Sequence, residues 1–294
     1  MTTDPSTAAD GLSELMVQAL ERLCIDLALA AGRLIRDDRP RHVGVAATKS
    51  TDTDVVTVMD QRSEALLHRL IRSARPDDGV LGEEGVDVIG TSGLTWVIDP
   101  IDGTVNYLYD IPAYAVSVAV VTGDARTDGA WRPVAGAVCD PCRRVVHHAR
   151  RGGGAWSRPE PGDGTDHPGA GDPERLTVSS EDRLGRALLA TGFGYDPEVR
   201  ARQAEVLRHV LPQVRDIRRI GSAALDLVRV AEGTVDAYAE SGINAWDLAA
   251  GWLIVEEAGG LVVGQGSHPG KALTVAAGRG LIEPLRALFQ PTRH

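Results

Sequence analysis

The chain has 294 residues, 43% of them hydrophobic and 24% charged, and a formal net charge of −10. That length allows one large domain or two modest ones, and the composition is an ordinary globular one. The acidic balance speaks against a general nucleic-acid binder, and no stretch reaches the roughly 18 unbroken apolar residues of a membrane span. Residues 1–11 read as a disordered lead that lacks the basic and apolar regions of a secretory signal. The sparse cysteines Cys24, Cys139 and Cys142 fit a reducing compartment, so the expected location is cytoplasmic.

Leu12, Leu15, Met16, Ala19, Leu20, Leu23 and Leu27 recur at helical spacing and predict a first helix. The β-branched run TDVVTVMD predicts a strand ending at Asp60, which reads as the N-cap of a helix through QRSEALLHRLIRSARP. GVLGEEG is a strand end running into Glu83 and Glu84, and LTWVI is a strand that runs into Asp99 and Asp102. AYAVSVAVVTG predicts the next strand. VAGAVCDPCRRVVHHARRGGGAW reads as strand, turn, strand, with Asp140-Pro141 in the turn and His147 and His148 on opposite faces. Ser157 to Arg175 is rich in Gly, Pro and Asp and reads as a flexible surface insertion. Beyond it come a strand near RALLATGFG, a helix from about Pro197 to Val214 and a strand VRDIRRI. Then follow a helix SAALDLVRVAEG closed by Gly233, a strand TVDAYAE and a helix DLAAGWLIVEEAGG. Hairpins and crossovers together predict a layered α/β arrangement, more mixed than a doubly wound sheet.

Asp60, Glu83-Glu84, Asp99 with Asp102, and Asp247 all stand at expected strand ends or helix starts, where sites form in α/β proteins. Each alone reads as a helix cap, a solvated loop or a turn. Together they offer the hard oxygen ligands that Mg²⁺ prefers, and bound cations would offset the repulsion of clustered acids. Gly103 and Thr104 follow directly. If a helix or turn starts there, their backbone amides suit phosphate oxygens, and the Thr104 hydroxyl could orient a water. Metals beside a phosphate cradle suggest metal-assisted phosphoryl transfer to water. The pair Cys139 and Cys142 lacks the second ligand pair of a zinc site, and strand rather than helix is expected after it. Gly152 to Gly154 make a turn and no P-loop.

LGEEG, WVIDPIDGTVNYL and AWDLAAGWLIVEEAGG resemble the three signatures of the inositol monophosphatase family, in the family's order. KSTDTDVVTVMD and RRIGSAALDLVRVAEGTVDAYAE resemble two further segments, and the likeness runs from about Leu12 to Gly278. The resemblance implies one domain over residues 12–290, folded as a five-layer α-β-α-β-α sandwich of the type shared with fructose-1,6-bisphosphatase, and a homodimer. It implies two or three Mg²⁺ per site. Glu83, Asp99 and the Ile101 carbonyl would hold one ion. Asp99, Asp102 and Asp247 would hold another, and a weaker third ion would sit near Glu83, where Lys49 and Glu84 play supporting parts. Asp60 and Thr104, with Glu83, would orient and deprotonate the attacking water. Gly103 and Thr104 would bind the phosphate; Ala223 and Glu240, with Asp102 and Asp247, would face the hydroxyls of the alcohol. The implied activity is lithium-sensitive hydrolysis of a small phosphate ester, inositol 1-phosphate first, with neither nucleic acid nor membrane as partner. Histidinol phosphate, fructose 1,6-bisphosphate and 3'-phosphonucleotides are alternatives within the class. A regulatory protein that contacts the transcription machinery is an alternative outside it. Asn244 stands where the family often has His, and Tyr107 where Phe is common; the Ser157–Arg175 insertion is longer than the usual connector. The first two departures bear on substrate preference.

Overall fold

The computed structural model describes residues 11–49, 51, 54–85, 87–161 and 172–289. In chain order the first half forms α1 (Glu14–Asp37), β1 (Val45–Thr48), β2 (Val55–Thr57), α2 (Val58–Ala74), β3 (Gly79–Gly82), β4 (Leu94–Asp102), α3 (Thr104–Leu108), β5 (Ala115–Gly123), β6 (Trp131–Asp140), β7 (Val145–Arg150), β8 (Ala155–Pro159) and β9 (Glu174–Arg175). The second half forms β10 (Leu188–Ala190), α4 (Pro197–Val210), β11 (Asp216–Arg218), α5 (Ala223–Ala231), β12 (Ala237–Glu240), α6 (Ala245–Glu257), β13 (Leu261–Val263), β14 (Thr274–Ala277) and α7 (Arg279–Phe289).

These elements stack as five layers. α1 and α2 cover one face of a sheet ordered β3-β4-β5-β6-β7-β8-β9. α5 and α6 lie between that sheet and a second one, ordered β11-β10-β12-β14-β13, whose outer face carries α4 and α7. Both sheets are mixed: β3 runs parallel to β4 while β4 through β9 alternate, and β10 runs parallel to both β11 and β12. The five-layer α-β-α-β-α sandwich expected from the sequence is the fold.

The long central strands are apolar on both faces because helices cover both. In β5, Val116, Val118 and Val120 pack into the core under α1 and α2, while Ala115, Ala119 and Val121 pack into the core under α5 and α6. Each such valine, taken fully out of water, contributes about 1.5–3 kcal/mol, and each alanine about 0.8 kcal/mol. An unbroken apolar run is the sequence signature of a doubly covered strand. α1 is held the same way: Leu20, Cys24, Leu27, Ala28, Ala31 and Ile35 form its buried stripe, and the Ser13 hydroxyl accepts the Met16 amide at 3.2 Å as the N-cap. His147 and His148 do face opposite ways: His147 meets Glu232 beyond α5 at 2.9 Å, and His148 meets Glu21 of α1 at 2.8 Å.

Several sequence expectations need correction. Asp60 is not the N-cap of α2. Thr57 is, and Asp60 is the third helical residue, its carboxylate accepting the Thr57 amide at 2.8 Å. The insertion Ser157–Arg175 is not wholly flexible surface. Ser157, Arg158 and Pro159 belong to β8, Glu174 and Arg175 form β9, and Glu160 pairs with Arg33 and Arg36 at 2.5 Å each. Its middle, residues 162–171, lies outside the described residues, as does the lead over 1–10. The helix expected to reach Val214 ends at Val210, and a 3₁₀ turn that contains Pro212 follows. β1, β13, β14 and α7 were not anticipated. The described helices include none long and apolar enough to cross a membrane.

Candidate active site

The site begins with an irregularity in β4. Residues three apart on a regular strand face opposite sides. Asp99 pairs with Ser117 and Asp102 with Ala115, so β4 spends three residues where β5 spends two. This bulge at Pro100-Ile101 turns both aspartates to one side. The Asp99 carboxylate fixes the bend by accepting the Ile101 amide at 3.0 Å. Gly103 follows with φ of 95°, the left-handed region that favours glycine, and α3 starts at Thr104.

Asp247 arrives from α6. It is the third residue of that helix and accepts the Asn244 amide at 2.6 Å, so it too is no plain N-cap. One oxygen each from Asp99, Asp102 and Asp247 lies within 4.8 Å of the others. Asp102 is anchored at the start of α5, where Oδ2 accepts the Ser222 hydroxyl at 2.7 Å and the Ala224 amide at 2.6 Å. Ala223, the first residue of α5, therefore sits beside the acids. Glu83, just past β3, receives the Lys49 ammonium at 2.7 Å, and the same ammonium pairs with Glu84. Lys49 itself follows β1. Asp60 and Thr104 also meet, with Thr104 Oγ1 2.9 Å from Asp60 Oδ1 and 3.0 Å from the Ile101 carbonyl. Glu240 ends β12, where its Oε2 accepts the Tyr238 hydroxyl at 2.8 Å.

Burial and mutual repulsion push these acids toward their neutral forms. Asp99 is 1% exposed; burial first, then the charges of Glu83, Asp102 and Asp247, hold its pKa well above the carboxylate range. Asp247 is raised well above it by burial, then by Asp102 and Glu83. Asp102 reaches about 6, burial outweighing the bonds from Ser222 and Ala224. Glu83 and Asp60 are raised by burial as well, against the lowering pull of Lys49 on Glu83 and of Thr57 and Thr104 on Asp60. Glu240 reaches about 7 through burial, and Glu84 about 7 through burial and the Glu83 charge. Such a cluster holds its charge poorly by itself and takes up either protons or cations, whose charge offsets the repulsion and the desolvation together.

Sequence reasoning missed the residues that hold the acids. Thr57 holds Asp60, Ser222 holds Asp102 and Tyr238 holds Glu240. Glu64 of α2 accepts the Glu84 amide at 2.8 Å. It fits because Gly82 and Gly85 carry no side chain: a Cβ on Gly85 would lie 2.3 Å from Glu64 Oε1. Thr57 and Ser222 are legible as helix caps, but not as the partners of these acids. Asp226, one turn into α5, is a further buried acid, 3.8 Å from Arg229 Nη1 and raised to about 8 mainly by burial.

Known proteins resemble this chain in sequence and fold. The inositol monophosphatase family model matches residues 16–292. A Mycobacterium tuberculosis protein named inositol-1-monophosphatase SuhB is 43% identical over 287 residues, which cover 92% of this chain and 93% of that one. A Haemophilus influenzae protein named Nus factor SuhB is 36% identical over 242 residues, covering 82% and 83%. Among solved structures, Mycobacterium tuberculosis SuhB superposes with a TM-score of 0.74 at 42% identity, covering 93% of this chain and 96% of that one. SaIMPase-II bound to inositol monophosphate superposes with a TM-score of 0.68 at 25% identity, covering 92% of each. With the acid cluster, the five layers and these likenesses in hand, the chain belongs to the inositol monophosphatase family.

Proposed function

We propose that this protein hydrolyses a small phosphate monoester, inositol 1-phosphate in the first place, to the free alcohol and phosphate, with two or three Mg²⁺ as cofactor. The convergence of Asp99, Asp102 and Asp247 oxygens within 4.8 Å carries the reading. Buried carboxylates that repel one another suit hard divalent cations. When bound, the ions supply charge neutralisation and bring a water's pKa from 15.7 toward about 7–9. Glu83, Asp99 and the Ile101 carbonyl would hold one ion, and Asp99, Asp102 and Asp247 would hold a second. Asp60 and Thr104, already in contact at 2.9 Å, orient the attacking water and, with Glu83, take its proton. The Gly103 and Thr104 amides position the phosphate. Ala223 and Glu240, with Asp102 and Asp247, receive the alcohol's hydroxyls. No covalent enzyme intermediate is required.

Phosphate release from inositol 1-phosphate, histidinol phosphate, fructose 1,6-bisphosphate and a 3'-phosphonucleotide, each with and without Mg²⁺, tests this. Release that requires Mg²⁺, with the highest kcat/KM on inositol 1-phosphate, is the expected result. Release from none of the four overturns the phosphatase reading, and a different leader overturns the substrate. Contact with the transcription machinery is the second reading, on the printed name of the Haemophilus influenzae relative. It would stand without catalysis only if the same assay were silent.

A further inference from the structure

Glu240 is the last residue of β12, and the two edges of that strand end differently. On the β14 side the ladder continues through Glu240, which pairs with Thr274. On the β10 side it stops two residues earlier, at Ala190 opposite Tyr238. Beyond that point residues 191–195 leave the sheet, and side chains replace the ladder. The Thr191 hydroxyl donates to the Ala239 carbonyl at 2.8 Å. The Gln203 side chain of α4 accepts the Gly194 amide through Oε1 at 3.0 Å and donates through Nε2 to the Ser241 carbonyl at 2.9 Å. One tie falls on the residue before Glu240 and one on the residue after it.

The two ties press the loop against the Glu240 carboxylate. A Cβ on Gly192 would lie 2.2 Å from Glu240 Oε2, the oxygen that also accepts the Tyr238 hydroxyl at 2.8 Å. Only a residue without a side chain lets the loop backbone come so close. Gln203 suits its place because its two partners have opposite needs. The Gly194 amide can only donate and the Ser241 carbonyl can only accept, so a single side-chain amide satisfies both. A carboxylate would lack the donor, and a thioether would serve neither partner well. Gln203 is half-buried, and its helix is fixed at the start by Asp196, which accepts the Glu198 and Val199 amides at 2.9 Å each. Glu240 is thus held by a loop, and that loop by one glutamine.

We propose that Gln203 is a positioning residue for Glu240 and so helps to decide which alcohols the site accepts; the role rests on the phosphatase activity proposed above. Steady-state kinetics with Mg²⁺ on inositol 1-phosphate and on phenyl phosphate, which has no ring hydroxyls, test it. Gln203→Met keeps the side-chain length and drops both hydrogen bonds. It is expected to raise KM for inositol 1-phosphate at least about fivefold, with kcat within about twofold and kcat/KM on phenyl phosphate within about threefold of the parent. Gly192→Ala pushes on the same carboxylate from the loop and is expected to raise that KM as well. In a Glu240→Ala background, Gln203→Met is expected to change KM by less than about twofold, because the group it positions is gone. On the metal-free proteins, amide hydrogen exchange over residues 191–195 is expected to be at least about fivefold faster in Gln203→Met than in the parent, with exchange over β5 unchanged. A parent-like KM in Gln203→Met or in Gly192→Ala overturns the positioning role alone. So does a KM effect that persists without Glu240, an equal loss on both substrates, or parent-like exchange in the loop. A parent inactive on inositol 1-phosphate overturns the proposed activity itself, and the positioning role with it.

Discussion

Asp99 sits at the centre of the site: it is 1% exposed and faces the like charges of Glu83, Asp102 and Asp247. Replacing it by the neutral isostere removes both the repulsion and the shared metal ligand. Asp99→Asn is therefore expected to melt at least about 2 °C higher than the parent in EDTA, and to lose at least about a hundredfold in kcat/KM with Mg²⁺. A calorimetric melt and a phosphate-release assay on the same preparation check both directions. Glu240 has a different part. Its Tyr238 partner fixes it at the end of β12, facing the start of α5, so Glu240→Ala is expected to raise KM for inositol 1-phosphate while kcat/KM on a phosphate ester without ring hydroxyls changes less than about threefold. At this scale the acids were legible in the sequence. They are chemistry-bearing types placed against strongly apolar segments, and the D-P-I-D-G-T run is distinctive. Their partners were not. Ser222 reaches Asp102 across 120 residues and Glu64 reaches Glu84 across 20, and a serine or a glutamate in a helix signals neither contact.

The elements near the site are shaped by local irregularities that periodicity does not capture. The apolar run of LTWVI reads as a strand, but it says nothing of the bulge that brings Asp99 and Asp102 to one side. The loop after β3 has a similar hidden constraint, since Gly82 and Gly85 close over the Glu64 carboxylate. Gly85→Ala is expected to destabilise the protein by about 1–3 kcal/mol and to displace Glu83 and Glu84, as seen in denaturant unfolding and in weakened Mg²⁺ binding; Gly266→Ala, where the added Cβ meets open space, controls for loop glycines in general. Long apolar runs and well-spaced leucines made α1, α2, β5 and α6 readable. β13 and β14 span only 3 and 4 residues and carry too few periods to register. α7 has Pro284 inside it, which breaks the expected helical pattern. Asp60 was misread because Thr57 offered the same capping chemistry one turn earlier.

The molecule as a whole keeps its acids between its layers, and this couples the site to global stability. A carboxyl whose folded pKa exceeds its unfolded value of about 4 binds more protons folded than unfolded across that interval, so stability falls as pH rises through it. Asp102 at about 6, Glu84 and Glu240 at about 7 and Asp226 at about 8 place this loss between about pH 4 and pH 8. Glu232, held at about 2 chiefly by His147 against its burial, acts in the opposite sense, below about pH 4.5. The metal-free protein is thus expected to melt at a lower temperature at pH 8 than at pH 5.5, and Mg²⁺ at pH 8 is expected to recover most of the difference. Equal melting temperatures at both pH values would count against the buried cluster. The layered fold was legible because hairpins and crossovers alternate along the chain; the order of strands in the second sheet was not, since β13 and β14 join it late in the sequence.

The most direct measurement is a calorimetric Mg²⁺ titration of the parent protein beside Asp99→Asn and Asp247→Asn. If the converging carboxylates hold the ions, the parent binds at least two and each variant binds fewer and more weakly, in step with lost phosphate release. Parent-like binding by both variants would contradict it.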